Sequence, residues 1–128
     1  MLDIIVEEKC LYYASGAVQY RASYKDGRLH GASYAYTEEG MVLAYTQFIE
    51  GKPTGVAKLW YACGALYAQK QYADGLLHGM QEFFYEEGGM KTLLAYKQGK
   101  LHGVVQLFTK EGKLQHSCLF VEGVLQDA

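Results

Sequence analysis

Residues 24–31 read YKDGRLHG, and the same form returns as YADGLLHG at 72–79 and YKQGKLHG at 96–103. Looser copies stand at 48–55 (FIEGKPTG) and 120–127 (FVEGVLQD), so the segment recurs every 24 residues. Its glycines carry the period: Gly27, Gly51, Gly75, Gly99 and Gly123 form one column, and Gly31, Gly55, Gly79 and Gly103 a second that Asp127 breaks. Gly16, Gly40, Gly64, Gly88 and Gly112 form a third, and Gly89 alone stands outside. Glycine serves where the backbone must turn tightly or take φ > 0. Periodic glycines therefore predict periodic turns, and each unit reads as strand, turn, strand, turn.

The stretches between turns read as strands. Residues 17–24 (AVQYRASY) and 65–72 (ALYAQKQY) are short and rich in Tyr, Val and Leu, and Val18, Tyr20 and Tyr24 keep an even spacing, the period of a strand. No glycine-free window between residues 16 and 123 is long enough for a helix. Pro53 falls inside a predicted turn, where its missing N–H costs no ladder bond. An aromatic residue also stands at every twelfth position from Tyr12 through Trp60 to Phe120. Short loops favour antiparallel neighbours. The expected fold is all-β: tandem 24-residue hairpins in an elongated, twisted antiparallel meander sheet. At about 4.8 Å per strand, some ten strands would extend on the order of 45–50 Å. The expected layout is one domain over 1–128, with a lead-in strand at 4–13 and units at about 16–39, 40–63, 64–87, 88–111 and 112–128.

The chain of 128 residues mixes 12 basic with 14 acidic side chains, for a formal charge of −2. No basic stripe marks a nucleic-acid binder, and the same balance argues against docking on anionic lipid. The repeats take up nearly the whole sequence, so no separate catalytic domain is expected. The start, MLDIIVEEKC, is too acidic and its apolar stretch too short for a signal peptide. No run approaches the ~20 apolar residues of a membrane-spanning helix. Cys10, Cys63 and Cys118 are odd in number and far apart, which suits reduced thiols in the cytoplasm better than a disulfide scaffold.

The pattern aromatic-x-x-Gly-x-Leu-His-Gly at residues 24–31, 72–79 and 96–103 resembles the MORN repeat (membrane occupation and recognition nexus). The second half of each unit, ending aromatic-x-x-x-Gly-x-Leu/Val/Met, is similar to the bacterial variant found in YwqK-type antitoxins. The resemblance covers nearly all of the chain. It implies a hairpin-repeat sheet acting as a scaffold, a protein-binding surface or a membrane-associated module, among which fold alone does not choose. Its antitoxin branch implies an inhibitor that occludes a toxin.

The sharpest chemical candidate is the column His30, His78 and His102, with His116 off register. With Thr54 interrupting it, His30 and His78 would stand roughly 19–20 Å apart on a sheet, while a metal–nitrogen bond is only ~2.0–2.1 Å. Turn-stabilising histidines are therefore expected, with no metal site. Ser15, Ser23, Ser33 and Ser117 lack a nucleophile-elbow context. Cys118 lies two residues from His116, which suits a packed thiol better than an activated one. Glu38–Glu39 and Glu86–Glu87 lack calcium-loop spacing. No catalytic residue and no cofactor are assigned, and the chain is expected not to be an enzyme.

Binding remains. Side chains alternate between strand faces, and the phased residues Val18, Tyr24, Tyr36, Val42, Phe48, Trp60, Leu66, Tyr72, Phe84, Met90, Tyr96, Phe108, Leu114 and Phe120 share one parity. They are assigned to a structural face. The other parity places Leu43, Tyr45, Leu59, Tyr61, Tyr67, Phe83 and Tyr85 on an opposite face. These seven either pack against each other or a neighbouring copy of the chain, or form a partner surface of hot-spot composition. If the faces are reversed, the phased aromatics form the groove. The leading expectation is a protein-binding module of antitoxin or immunity type. The alternative is a scaffold that self-associates through edge strands or acts at a membrane periphery.

Overall fold

The computed structural model describes residues 6–126, which form one open sheet of twelve antiparallel strands. The strands are β1 (Val6–Tyr12), β2 (Val18–Lys25), β3 (Arg28–Tyr36), β4 (Val42–Ile49), β5 (Lys52–Trp60) and β6 (Leu66–Ala73). They continue as β7 (Leu76–Leu77), β8 (Gly79–Phe84), β9 (Met90–Lys97), β10 (Lys100–Phe108), β11 (Leu114–Val121) and β12 (Val124–Gln126). Sequence neighbours are spatial neighbours throughout, and β7 and β8 both pair with β6 on either side of a break at His78. Among the described residues no helix is long and apolar enough to cross a membrane. Residues 4 and 5 of the expected lead-in strand, and Asp127, lie outside the described residues.

Two kinds of turn alternate, and a meander puts them on opposite margins of the sheet. Along one margin, Asp26 and Gly27 take φ of 51° and 78°, and the pairs 50–51, 74–75, 98–99 and 122–123 repeat that geometry. Two successive positive φ values make a type I′ turn, whose twist matches that of the strands it joins. Along the other margin run five-residue loops, closed as in Tyr13 N–H to the Ala17 carbonyl (2.8 Å) and Gly16 N–H to the Tyr13 carbonyl (2.9 Å). Pro53, expected in a turn, is instead the second residue of β5, opposite Phe48. The pair Ile49–Lys52 closes the turn. The next pair therefore exchanges no hydrogen bonds, and proline fits there.

The strand register corrects the parity assignment. Facing residues across the strands have numbers with an odd sum, as in Leu11–Tyr20, Tyr20–Ala35, Ala35–Ala44, Ala44–Leu59 and Ala68–Phe83. An even-numbered residue in one strand thus shares its face with odd-numbered residues in the next. Tyr24, Phe48, Tyr72, Tyr96 and Phe120 lie on one face, called the front. Tyr12, Tyr36, Trp60, Phe84 and Phe108 lie on the back, opposite Val18, Val42, Leu66, Met90 and Leu114. The twelve-residue spacing is one ring per strand, on alternating faces.

No second layer covers either face among the described residues, and the core is a narrow band of small side chains. Ala22, Ala57, Ala68, Ala95 and Ser33 are buried, and the largest fully buried side chain is Gln81. The Gln81 carboxamide accepts from Gln71 N–H (2.7 Å) and donates to the Gln71 carbonyl (3.2 Å), so its burial leaves no polar atom orphaned. Beside this band the backbone bulges: Leu94–Val105 and Tyr96–Leu101 pair, leaving two extra residues in β10. Gly103 takes φ +115° there, and a Cβ on it would stand 2.8 Å from the Ala95 Cβ. Only glycine fits at that separation.

Candidate functional site

The front face at β5, β6 and β8 gathers four of the seven residues expected to contact a partner. Leu59 pairs with Ala68, and Ala68 with Phe83, so a small buried residue separates two larger ones in one cross-strand row. Tyr67 is the extra residue of a bulge, between Leu59–Ala68 and Trp60–Leu66. The bulge turns its ring onto the front, edge-on to Phe83 at 6.0 Å and to Tyr61 at 5.0 Å. Such edge-to-face contacts satisfy the ring quadrupoles. Tyr67 keeps 37% of its surface exposed. Beside it lies a shallow depression of ≈ 220 Å³ lined by Tyr67, Phe83, Lys91, Thr92 and Leu94. The Lys70 ammonium sits 5.9 Å from the Phe83 centroid. A basic rim thus borders an apolar floor.

Tyr61 and Tyr85 also carry structure. The Tyr61 hydroxyl donates to the Phe84 carbonyl at 2.7 Å, and the Tyr85 hydroxyl to the Phe108 carbonyl at 2.7 Å. Tyr13 makes the same bond to the Tyr36 carbonyl at 2.6 Å. Each phenol lashes a five-residue loop to the end of a strand 23 residues on. Burial first, then the neighbouring Tyr67 and the acids Glu86 and Glu87, holds the Tyr61 hydroxyl above the ordinary phenol range, so it stays a neutral donor. Thr37 and Thr109 hold the corresponding positions, and their hydroxyls accept from Met41 and Lys113 N–H within their own loops. Sequence reasoning missed this latch, although its signal was present: a Tyr or Thr at 13, 37, 61, 85 and 109 directly follows a ladder aromatic.

Of the three other expected contacts, Tyr85 latches the next loop, and Tyr45 and Leu43 do not join the cluster. Tyr45 pairs with Tyr34 and therefore lies on the back face, because β4 inverts the parity of β5 and β8. Its ring centroid is 5.2 Å from that of Tyr34, which stacks on Tyr36 at 6.0 Å. The Arg21 guanidinium stands 5.1 Å from Tyr34 and 5.9 Å from Tyr36, and the Tyr45 hydroxyl bonds Gln47 at 2.8 Å. Leu43 is the half-buried bulge residue of β4, between Ala35–Ala44 and Tyr36–Val42. The seven residues do not form one surface.

The histidines latch the opposite margin. His30, His78 and His102 accept at Nδ1 from the N–H of Glu50, Gln98 and Glu122, at 3.3, 3.2 and 3.1 Å. Each bond reaches a type I′ turn of the next hairpin, 20 residues on. Where Thr54 replaces histidine, no such bond reaches Asp74 among those described. Among the described residues no group of three or more His, Cys, Asp or Glu could hold a metal ion. The larger depressions along this margin, such as the ≈ 360 Å³ one at Arg28, Glu50, Lys52 and Asp74, are lined by charges from successive turns. They offer no convergent apolar floor. No protein-family model matches the chain, and no curated protein matches its sequence.

Proposed function

We propose that this chain is a non-enzymatic binding module that captures a protein partner on the front of its sheet. The observation that carries this reading is the run Tyr61–Tyr67–Phe83, with Tyr67 protruding from an uncovered face and lysines at its rim. Aromatic anchors over an apolar floor are the usual energetic centre of protein interfaces. Lys70 and Lys91 select for a partner segment that places acidic groups around an apolar side chain. The resemblance of residues 24–31, 72–79 and 96–103 to MORN repeats, together with the likeness of the second half of each unit to YwqK-type antitoxins, supports a toxin as that partner. The three free cysteines Cys10, Cys63 and Cys118 suit a reducing compartment.

The test is affinity capture with the wild-type chain and with Tyr67→Ala/Phe83→Ala, the captured protein being identified by mass spectrometry and titrated. The expected result is a Kd raised about 30-fold, or roughly 2 kcal/mol, with the circular dichroism of the sheet unchanged. Equal affinity for both forms removes the site from this face.

A further inference from the structure

We infer that Gln81 is the positioning residue of the front site: its buried carboxamide locks β8 to β6 and so fixes Phe83 against Tyr67. This rests on the reading of that aromatic cluster as a partner surface. The surface is built across a seam, with Tyr67 on β6 and Phe83 on β8.

The backbone ladder along that seam is interrupted. β6 pairs with β8 through Ala68–Phe83 and Gln69–Glu82, and pairing resumes with β7 at Tyr72–Leu77. Among the described residues, Lys70 and Gln71 have no ladder partner on this side. The other hairpins leave a narrower gap. β2–β3 and β9–β10 add Ala22–Ser33 and Leu94–Val105, and β4–β5 regains pairing at Gln47–Thr54. Across the seam a side chain takes the place of the missing backbone partner. Gln81 Oε1 accepts from the Gln71 N–H at 2.7 Å, and Gln81 Nε2 donates to the carbonyls of Gln71 at 3.2 Å and Gly79 at 3.3 Å. The His78 N–H donates to the same Gln71 carbonyl at 3.0 Å.

Only this copy of the repeat is clamped in this way. The equivalent residues are Ser33, Ala57 and Val105. Alanine and valine side chains form no hydrogen bonds, and the Ser33 hydroxyl donates instead to the Thr46 carbonyl of β4 at 3.2 Å. Gln81 is 1% exposed, and a buried polar group with its partners satisfied holds one arrangement rigidly. Its surroundings on the front are site residues. Gln81 faces Leu94, which lines the depression beside Tyr67, and Phe83 follows two positions later on the same face. Lys70, whose ammonium stands 5.9 Å from the Phe83 centroid, is one of the two β6 residues left without a ladder partner. The clamp on Gln71 therefore sets how the ring on β6 meets the ring on β8, at 6.0 Å between centroids.

The test compares the full chain with Gln81→Val, which places at 81 the side chain that the equivalent bulge of β10 holds at Val105. Ser33→Ala, at the equivalent position of β3, is the control for lost stability. In Gln81→Val the Gln71 amide should exchange with solvent about tenfold faster or more. Nuclear Overhauser contacts between the Tyr67 and Phe83 rings should weaken, while circular dichroism shows the sheet intact. For the protein captured by the wild-type chain, the Kd should rise about tenfold. Gln81→Met, of similar length but without the three bonds, should give the same changes where valine underfills the bulge. Ser33→Ala should lower the urea midpoint and leave the ring contacts and the Kd unmoved. Ring contacts unchanged in both Gln81 variants, or changed equally by Ser33→Ala, overturn the inference. So does an unmoved Kd for a partner that Tyr67→Ala/Phe83→Ala releases. If that pair leaves affinity unchanged, the front reading fails, and the ring contacts and Gln71 exchange still decide the role of Gln81.

Discussion

The front and back faces both carry clusters of tyrosine and phenylalanine, but the rings are engaged differently. On the back, Tyr34, Tyr36 and Tyr45 are half-buried under Arg21, and the Tyr45 hydroxyl is bonded to Gln47. That cluster is closed by its own chain. On the front, a bulge leaves Tyr67 partly exposed between Tyr61 and Phe83, and lysines stand at the rim of the rings. Similar composition thus gives packing on one side and an open surface on the other. The difference lies in which cation and which backbone irregularity each cluster meets.

The largest expected effect breaks the back face. Gly103→Ala must place a methyl group 2.8 Å from the Ala95 Cβ at a φ of +115°, which should cost about 3 kcal/mol or more from strain and overpacking together. Gly55→Ala has positive φ but no atom within 4 Å of the new methyl, so its cost should be about half as large. Urea denaturation of the two variants separates crowding from backbone strain, and equal losses would show that the close approach contributes nothing.

Trp60 is half-buried on the back face opposite Leu66. Trp60→Ala should therefore lower stability by about 2 kcal/mol, less than the loss for a fully buried ring, and leave partner affinity unchanged. Tyr61→Phe keeps the edge-to-face ring and removes only the bond to the Phe84 carbonyl. It should cost about 1 kcal/mol in denaturation and change the Kd for the partner less than about twofold. Smallest of all is the effect of Tyr45→Ala on capture: about none, because the ring points away from the front. A tenfold loss there would assign the binding surface to the back and reverse the comparison.

Strands, turns and connectivity were legible in the sequence because their causes are local. Asp26–Gly27 and its counterparts allow two positive φ values in succession, and the short runs between turns cannot be helical. The column of His30, His78 and His102 was likewise readable as turn chemistry, although its acceptor role toward the next hairpin depends on where that hairpin lies. The candidate site was only partly legible. Leu59, Tyr61, Tyr67 and Phe83 were singled out by residue type and do come together. Tyr45 was grouped with them by counting parity straight through the turns, and that count fails once facing residues sum to an odd number. Tyr67 reaches the front only because of its bulge, which alternation along a strand cannot anticipate.

By itself, then, the sequence determined an all-β chain of short strands, joined by glycine turns into an antiparallel meander. φ preferences and strand alternation act within a few residues, and those are written directly in the chain. The tertiary structure decided which rings share a face and which phenols latch the loops. Those outcomes depend on the register between strands and on bulges within them, where one residue more or less moves a side chain to the other side of the sheet.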